Sequence, residues 1–362
     1  MKSSSGKHYI GLDHVRALAA FMVFHWHFTH AAGGLGHPVP FEFLPAIIPL
    51  AIFDEGHTGV ALFMTLSGYL FAKLLEGKEV RFGAFLRNRF WRLFPLLLFV
   101  FFIVGALKVR TEAGLLEYVG RLASGFVWPK WPNGGWSVAV ELQFYILLPF
   151  LMRLASGGAT RLLLILPVSM LLRAVIYCWL GEVQTAAYWT IIGRIDQFVL
   201  GMFWFQARGH MAGKHVRALL AAAAFFLFFW WFDWVGGYYQ MSGYPSASPL
   251  WIVFPTIEGL GYAALIAWYD NSFQHSTGWL SRALAYYGTV SFSIYLLHFF
   301  FIGYAVHFVE HFIMDLSNYY AAFAWSVVFF ALMVVPATLT FRLIEMPCLK
   351  LRRNYLRPPS GA

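Results

Sequence analysis

Ten stretches of roughly twenty mostly apolar residues follow one another along this chain, at about 13–31, 57–75, 92–108, 135–153, 160–180, 188–206, 216–235, 250–269, 285–306 and 319–343. A hydrocarbon core about 30 Å thick needs about twenty residues per helix. Backbone polar groups find no water there, so each stretch must close its own hydrogen bonds as a helix. The expected fold is an all-α polytopic bundle of about ten transmembrane helices. Composition excludes large soluble domains: 12% of the residues are charged, against about 25% in soluble proteins, too few to cover a water-facing surface. Aromatic residues reach 20% and include 15 Trp, which suits interfacial belts. No long polar linker interrupts the pattern, so residues 1–349 are read as one transmembrane domain and 350–362 as a basic cytoplasmic tail. The run Arg357-Pro358-Pro359-Ser360 in that tail is expected to lack fixed structure.

A net charge of +9 in a soluble protein would suggest a nucleic-acid partner. Here the basic residues fall between the apolar stretches instead, so no nucleic-acid partner is expected. With the N-terminus in the cytoplasm, 20 of the 26 Lys and Arg lie on the cytoplasmic side. Only Lys108, Arg110, Arg121 and Lys130 lie outside, and Arg173 and Arg194 lie within helices. That asymmetry sets the orientation, and an even number of spans returns the C-terminus to the cytoplasm. Lys2, Lys7 and the apolar run from Ala17 to Phe28 resemble a signal peptide. Arg16, His25 and His27 interrupt that pattern, so the segment is read as a retained first helix. Cys178 and Cys348 are expected near opposite faces, too far apart for a disulfide. Neither has metal-ligand spacing, and no metal is expected.

Ionisable groups inside a membrane are costly and mark function by default. The first stretch holds Asp13, His14, Arg16, His25 and His27. Arg16 and His27 are eleven residues apart, hence about 20° apart around a helix and about 16 Å along it. One helical face thus carries a cation near the cytoplasmic mouth and an imidazole deep in the membrane; His25 points roughly the opposite way. Such a histidine on its own more often only bonds a neighbouring helix; sharing a face with Arg16 favours a functional His27. Arg87-Asn88-Arg89-Phe90-Trp91-Arg92 reads as a cytoplasmic loop abutting the third helix. Its arginines could clasp a phosphate through paired hydrogen bonds or only set topology against lipid headgroups. Glu141, about a turn inside the fourth helix, needs an imidazole or guanidinium partner. Arg194, Asp196, Glu258 and His298 read as structural first, and Arg342 with Glu345 as an i,i+3 pair.

In order along the chain, these residues resemble the acyltransferase-3 family of bacterial integral-membrane O-acyltransferases. Gly11-Leu12-Asp13-His14-Val15-Arg16 through His27 is similar to its Leu-Asp-x-x-Arg and Arg-x10-His motifs. Phe63-Met64-Thr65-Leu66-Ser67-Gly68-Tyr69 resembles its Phe-x-x-Ser-Gly-Phe segment, and Arg89-Phe90-Trp91-Arg92 its Arg-x-x-Arg motif. Trp136-Ser137 with Glu141 and Tyr145 resembles Trp-Ser-x-x-x-Glu. Arg194-Ile195-Asp196, Tyr295-Leu296-Leu297-His298 and Glu345-Met346-Pro347 complete the series. His298 is followed by Phe299-Phe300, where many members have a proline nearby. The chain stops soon after Glu345-Met346-Pro347, so no appended soluble hydrolase-like domain is expected.

The resemblance implies a ten-helix enzyme of the bacterial inner membrane that moves an acyl group, acetyl foremost, from cytoplasmic acyl-CoA to a hydroxyl of an extracytoplasmic carbohydrate such as lipopolysaccharide or exopolysaccharide. Acyl-CoA, the carbohydrate acceptor and membrane lipids are then its partners; self-association is left open. Carried onto this chain, His27, Glu141 and Arg16 are the catalytic expectations, and Arg16, Arg89, Arg92 and Arg194 the donor-binding ones. Trp136, Ser137, Tyr145 and His298 are the expected substrate contacts. His27 would act as general base or carry the acyl group, with Glu141 orienting it. A transporter or flippase of a lipid-linked sugar would use the same groups as an anion path, but its two halves should show matching broken helices, and no such symmetry is present. A purely structural subunit would leave the shared Arg16 and His27 face without a reason.

Overall fold

The structure is a computed structural model and describes residues 9–30, 37–111, 114–128, 130–240 and 243–357. Each of the ten apolar stretches contributes a long helix, though several are interrupted. In chain order these are α1 (Ile10–His30), α2 (Gly59–Leu75), α3 (Phe82–Thr111), α4 (Gly135–Ser156), α5 (Ile165–Leu180), α6 (Ile191–Gln206), α7 (His215–Trp234), α8 (Phe254–Ser272), α9 (Trp279–Leu297) and α10 (Tyr319–Leu332). Beyond α10 the chain stays helical through Val334–Thr340, a π-helical turn at Phe341–Glu345 and Met346–Leu349. Among the described residues the strands amount to one two-residue antiparallel pairing of β1 (Glu79–Val80) with β2 (Leu356–Arg357).

Among the described residues, seven segments are long and apolar enough to cross a membrane: Gly56–Leu75, Phe82–Lys108, Gly135–Ser156, Ala159–Leu180, His215–Trp234, Trp279–Phe300 and Tyr319–Leu349. The chain is a multi-pass helical membrane protein. Helices α1, α6 and α8 are the polar ones, carrying Asp13 and Arg16, Arg194 and Asp196, and Glu258 and Asp270. Their positions explain it. Helix α1 packs on α9, α2 and α10, while α6 packs on α2, α8 and α5. Surrounded by protein, they can carry polar groups that find partners inside the bundle. The outer helices behave oppositely: the apolar windows containing α5 and α10 are each only 17% buried, against 72% for the one containing α2.

Close helix contacts in lipid depend on small residues. A Cβ on Gly68 of α2 would lie 2.0 Å from the Phe198 carbonyl oxygen of α6. One on Gly201 of α6 would lie 2.1 Å from the Thr65 carbonyl of α2. The two backbones therefore touch, and each helix supplies the glycine the other requires.

Several charges inside the bundle are matched in pairs. Arg173, on the otherwise lipid-facing α5, is fully buried; its Nη2 lies 2.7 Å from Asp196 Oδ2 and its Nε donates to the Ile252 carbonyl at 2.7 Å. Arg194 pairs with Glu258 at 3.3 Å, and Lys73 with Asp270 at 2.6 Å.

Four local expectations change. The arginines from Arg87 to Arg92 are not in a loop: α3 starts at Phe82, because neither glycine nor proline stands between Gly83 in its first turn and Pro95, and the helix simply extends past its apolar part. The ninth stretch ends earlier, at Leu297. A 3₁₀ turn at His298–Phe300 separates it from a short helix at Ile302–Phe312, and the Phe301 amide bonds the His298 carbonyl. Helix α6 starts at Ile191, where the Thr190 hydroxyl accepts from the Ile192 amide at 3.2 Å, and Gln184–Trp189 forms a separate short helix. Glu345 does not pair with Arg342; it accepts from Arg92 and from Ser293, since it faces the bundle rather than its own helix surface. Lys2, Lys7 and the Pro358-Pro359-Ser360 run lie outside the described residues.

Candidate active site

The basic end of the bundle opens into a cavity holding about 1400 Å³ of space free of protein atoms, its mouth included. Helix α3 presents Arg89 and Arg92 three residues apart, hence on one face, and α1 adds Arg16. A fourth guanidinium, Arg352, comes from the segment after α10. Two of the four are matched: Arg16 pairs with Asp13, one turn away on α1, and Arg92 with the buried Glu345. The Arg89 guanidinium lies 5.2 Å from the Phe71 ring centre and 5.4 Å from that of Phe85. Neither Arg89 nor Arg352 forms an ion pair among the described residues.

Beyond this mouth the walls are apolar, with Leu12, Val60, Phe63 and Met64 among them. Polar groups return at two places. Glu141 on α4 accepts from Ser67 on α2 at 3.3 Å and from Tyr145, one turn along its own helix. Further along, Ser137 donates to the Tyr295 hydroxyl at 2.8 Å, which donates to the Gly134 carbonyl at 3.0 Å. Gly134 lies in the left-handed region, with φ of 75°, in the turn that leads into α4. Pro132, Asn133 and Gly134 stand in this turn, where proline and glycine disfavour helix.

His27 stands in the last turn of α1, beyond Tyr295 and outside the cavity lining. Its Nδ1 lies 2.8 Å from the Val23 carbonyl and 3.3 Å from His298 Nε2. A carbonyl can only accept, so Nδ1 of His27 carries the proton. His298 Nδ1 faces the Ile294 carbonyl at 3.3 Å by the same logic, which leaves its Nε2 as an acceptor. The two rings, with centres 4.9 Å apart, are thereby held in one tautomer each, and His27 Nε2 keeps a free lone pair. His298 links the pair to the cavity wall, its ring centre 5.9 Å from that of Tyr295. His25 points elsewhere, as its helical position requires: it is fully buried and bonds Ser326 on α10 at 2.8 Å.

The structure thus brings Arg16, Arg89, Arg92, Ser137, Glu141 and Tyr145 to one cavity, and His27 to His298 behind it. It does not bring Glu141 to His27: the hydrogen bonds of Glu141 are with Ser67 and Tyr145. Arg194 lies outside the cavity. Its charge is met by Glu258, its Nε donates to the Tyr188 carbonyl at 2.8 Å, and its guanidinium lies over the Tyr188 ring at 4.3 Å. Trp136 packs between Tyr188 and Trp189, with ring centres 5.2 and 4.6 Å away.

Sequence reasoning missed Arg352, counting it only as a topology signal. Its one trace there is a basic run, Lys350 to Arg353, directly after Glu345-Met346-Pro347. It also missed that His298 would be the partner of His27. Among the described residues, no group of three or more His, Cys, Asp or Glu side chains is gathered as metal ligands.

A family model described as an acyltransferase domain matches residues 9–342. That span contains every cavity-lining residue except Arg352. No curated protein and no solved structure matches the chain.

Proposed function

This chain belongs to the acyltransferase-3 family and is a membrane acyltransferase; from that premise we propose that it transfers an acyl group, foremost acetyl, from cytoplasmic acyl-CoA to a hydroxyl of an extracytoplasmic carbohydrate such as lipopolysaccharide or exopolysaccharide. The observation that carries this reading is the cavity itself: guanidinium groups at its mouth, an apolar passage, and hydroxyl groups at its inner end leading to the His298 and His27 pair. Phosphates of the donor suit Arg89, Arg92 and Arg16, and its acyl-bearing arm suits the apolar walls. His27 Nε2 takes the proton of the acceptor hydroxyl as the oxygen attacks the thioester carbonyl. The new C–O bond replaces the C–S bond, and the thiolate leaves to be protonated as free coenzyme A. Glu141, Ser67 and Tyr145 line the donor's path, and Ser137 and Tyr295 lie where the thioester would approach His298 and His27. Arg194 and Trp136 act through the fold around this path. The decisive assay incubates purified protein with radiolabelled acetyl-CoA and a glycan panel; label must pass into glycan. Donor binding with no transfer to any glycan or other hydroxyl acceptor would count against the reading.

In the membrane, this enzyme has ten spans, with α1, α6 and α8 crossing inside the ring of more apolar helices. Both termini and the basic end face the cytoplasm, in the bacterial inner membrane. The excess of Lys and Arg at that end supports this orientation. A reporter active only in the periplasm, fused after Ala362, is therefore expected to stay silent, whereas one active only in the cytoplasm should report. Periplasmic activity would overturn the even number of spans.

For donor binding, Arg89→Ala is expected to weaken acyl-CoA affinity at least about tenfold, the loss of a charge-assisted contact. Lysine should rescue only partly, because an ammonium cannot make the planar two-bond contact. Arg92→Ala should weaken binding as well and in addition lower the melting temperature, since Glu345 is left buried without its cation. Equal donor affinities in unaltered and Arg89→Ala protein, by equilibrium binding in detergent, would leave these arginines a topological role only.

A further inference from the structure

The segment after α10 is pinned across the mouth of the cavity. Asn88, buried on α3 between Arg87 and Arg89, holds both backbone groups of Arg353: its side chain donates to the Arg353 carbonyl at 2.6 Å and accepts from the Arg353 amide at 3.0 Å. Two residues on, the Tyr355 carbonyl accepts from the Arg81 amide at 2.9 Å. The Tyr355 ring is fully buried, 5.5 Å from that of Phe85. The β1–β2 pairing completes the attachment. A strap fixed at 353, 355 and 356 leaves little freedom to residue 352, whose side chain lines the cavity beside Arg89 and Arg92.

This is a costly arrangement unless something negative belongs there. Arg352 has no ion pair among the described residues, and its Nε is buried without a hydrogen-bond partner, as is the Nε of Arg89. Burial first, and then the charges of Arg89 and Arg92, lower the Arg352 guanidinium to about 9. Gathered cations with unused donors, facing a cavity open to water, are what a phosphate-bearing ligand would satisfy.

We propose that Arg352, carried on this strap, is a phosphate ligand of the acyl donor, so that the chain after α10 completes the donor site. The proposal rests on the reading of the cavity as an acyl-CoA site. The family match ends at residue 342, before the strap.

The test measures binding of two donors by the full chain in detergent: acetyl-CoA, which carries phosphates, and S-acetylpantetheine, which carries none. Arg352→Gln is expected to weaken acetyl-CoA at least about tenfold and to leave S-acetylpantetheine unchanged, with Arg352→Lys in between. Arg353→Ala removes the same charge from the exposed side of the strap and should change neither affinity. Tyr355→Ala loosens the strap without altering charge and should reproduce the loss for acetyl-CoA alone. Acetyl-CoA affinity equal in Arg352→Gln and unaltered protein would overturn the proposal, as would an equal loss for both donors. Failure of the unaltered chain to bind acetyl-CoA would overturn the functional reading, and this inference with it.

Discussion

Replacing His27 by alanine is expected to lower transfer by about 10²–10⁴-fold, the range for a lost general base, and to leave acetyl-CoA affinity and expression at the level of the unaltered chain. The separation of the two effects follows from position. His27 lies outside the cavity proposed for the donor, behind Tyr295 and His298, so removing it should empty no contact of the donor. What disappears is the lone pair on Nε2, which the Val23 carbonyl keeps available by holding the proton on Nδ1. His25→Ala gives the contrast. His25 bonds Ser326 on α10 and is fully buried, so its loss should lower thermal stability and touch transfer only slightly. The two variants belong in one assay, with donor binding measured in parallel. Activity surviving in His27→Ala and vanishing in His25→Ala would place the base on the other histidine and refute the argument from the helical face.

The largest effect on stability is expected at Arg173. Its guanidinium bonds Asp196, Thr256 and the carbonyls of Ile192, Gly193 and Ile252, and both members of the ion pair are fully buried. Removing one partner leaves an uncompensated charge inside the bundle, at a cost of about 3–5 kcal/mol, which is much of the total stability of a typical fold, about 5–15 kcal/mol. Arg173→Ala should therefore yield aggregated or sharply destabilised protein on size-exclusion chromatography and thermal melts. Arg173→Met combined with Asp196→Leu should recover most of the loss, because the pair is then replaced by apolar groups of similar size. A melting temperature unchanged in Arg173→Ala would mean that water reaches Asp196.

The helices were legible because their signal is local: about twenty apolar residues in a row mean the same thing wherever they stand in the bundle. Partners were not, because a sequence shows a charged residue without showing what faces it. Arg342 and Glu345 satisfy the i,i+3 rule, yet Glu345 turns inward to Arg92, about 250 residues earlier in the chain. Arg16 and His27 both stand on α1, as read, but α9 and the turn after it place Tyr295 and His298 between the cavity and the imidazole, a separation that only packing reveals. The break at His298 had no warning glycine or proline. Arg352 was hidden by its company, since one arginine in a basic run looks like the next until the strap's register decides which side chain points inward.

The pairing of residues 79–80 with 356–357 has a further consequence, in time rather than in space. These strands are separated by seven of the long helices, from α4 to α10, together with α3 itself. The contact can form only after that whole length has been threaded into the bilayer. Until then Arg352 is elsewhere, and the cations at the mouth are not yet assembled. A chain halted midway through insertion would thus have its inner passage without a complete entrance, and the donor capture proposed for that entrance would begin only once the bundle is whole.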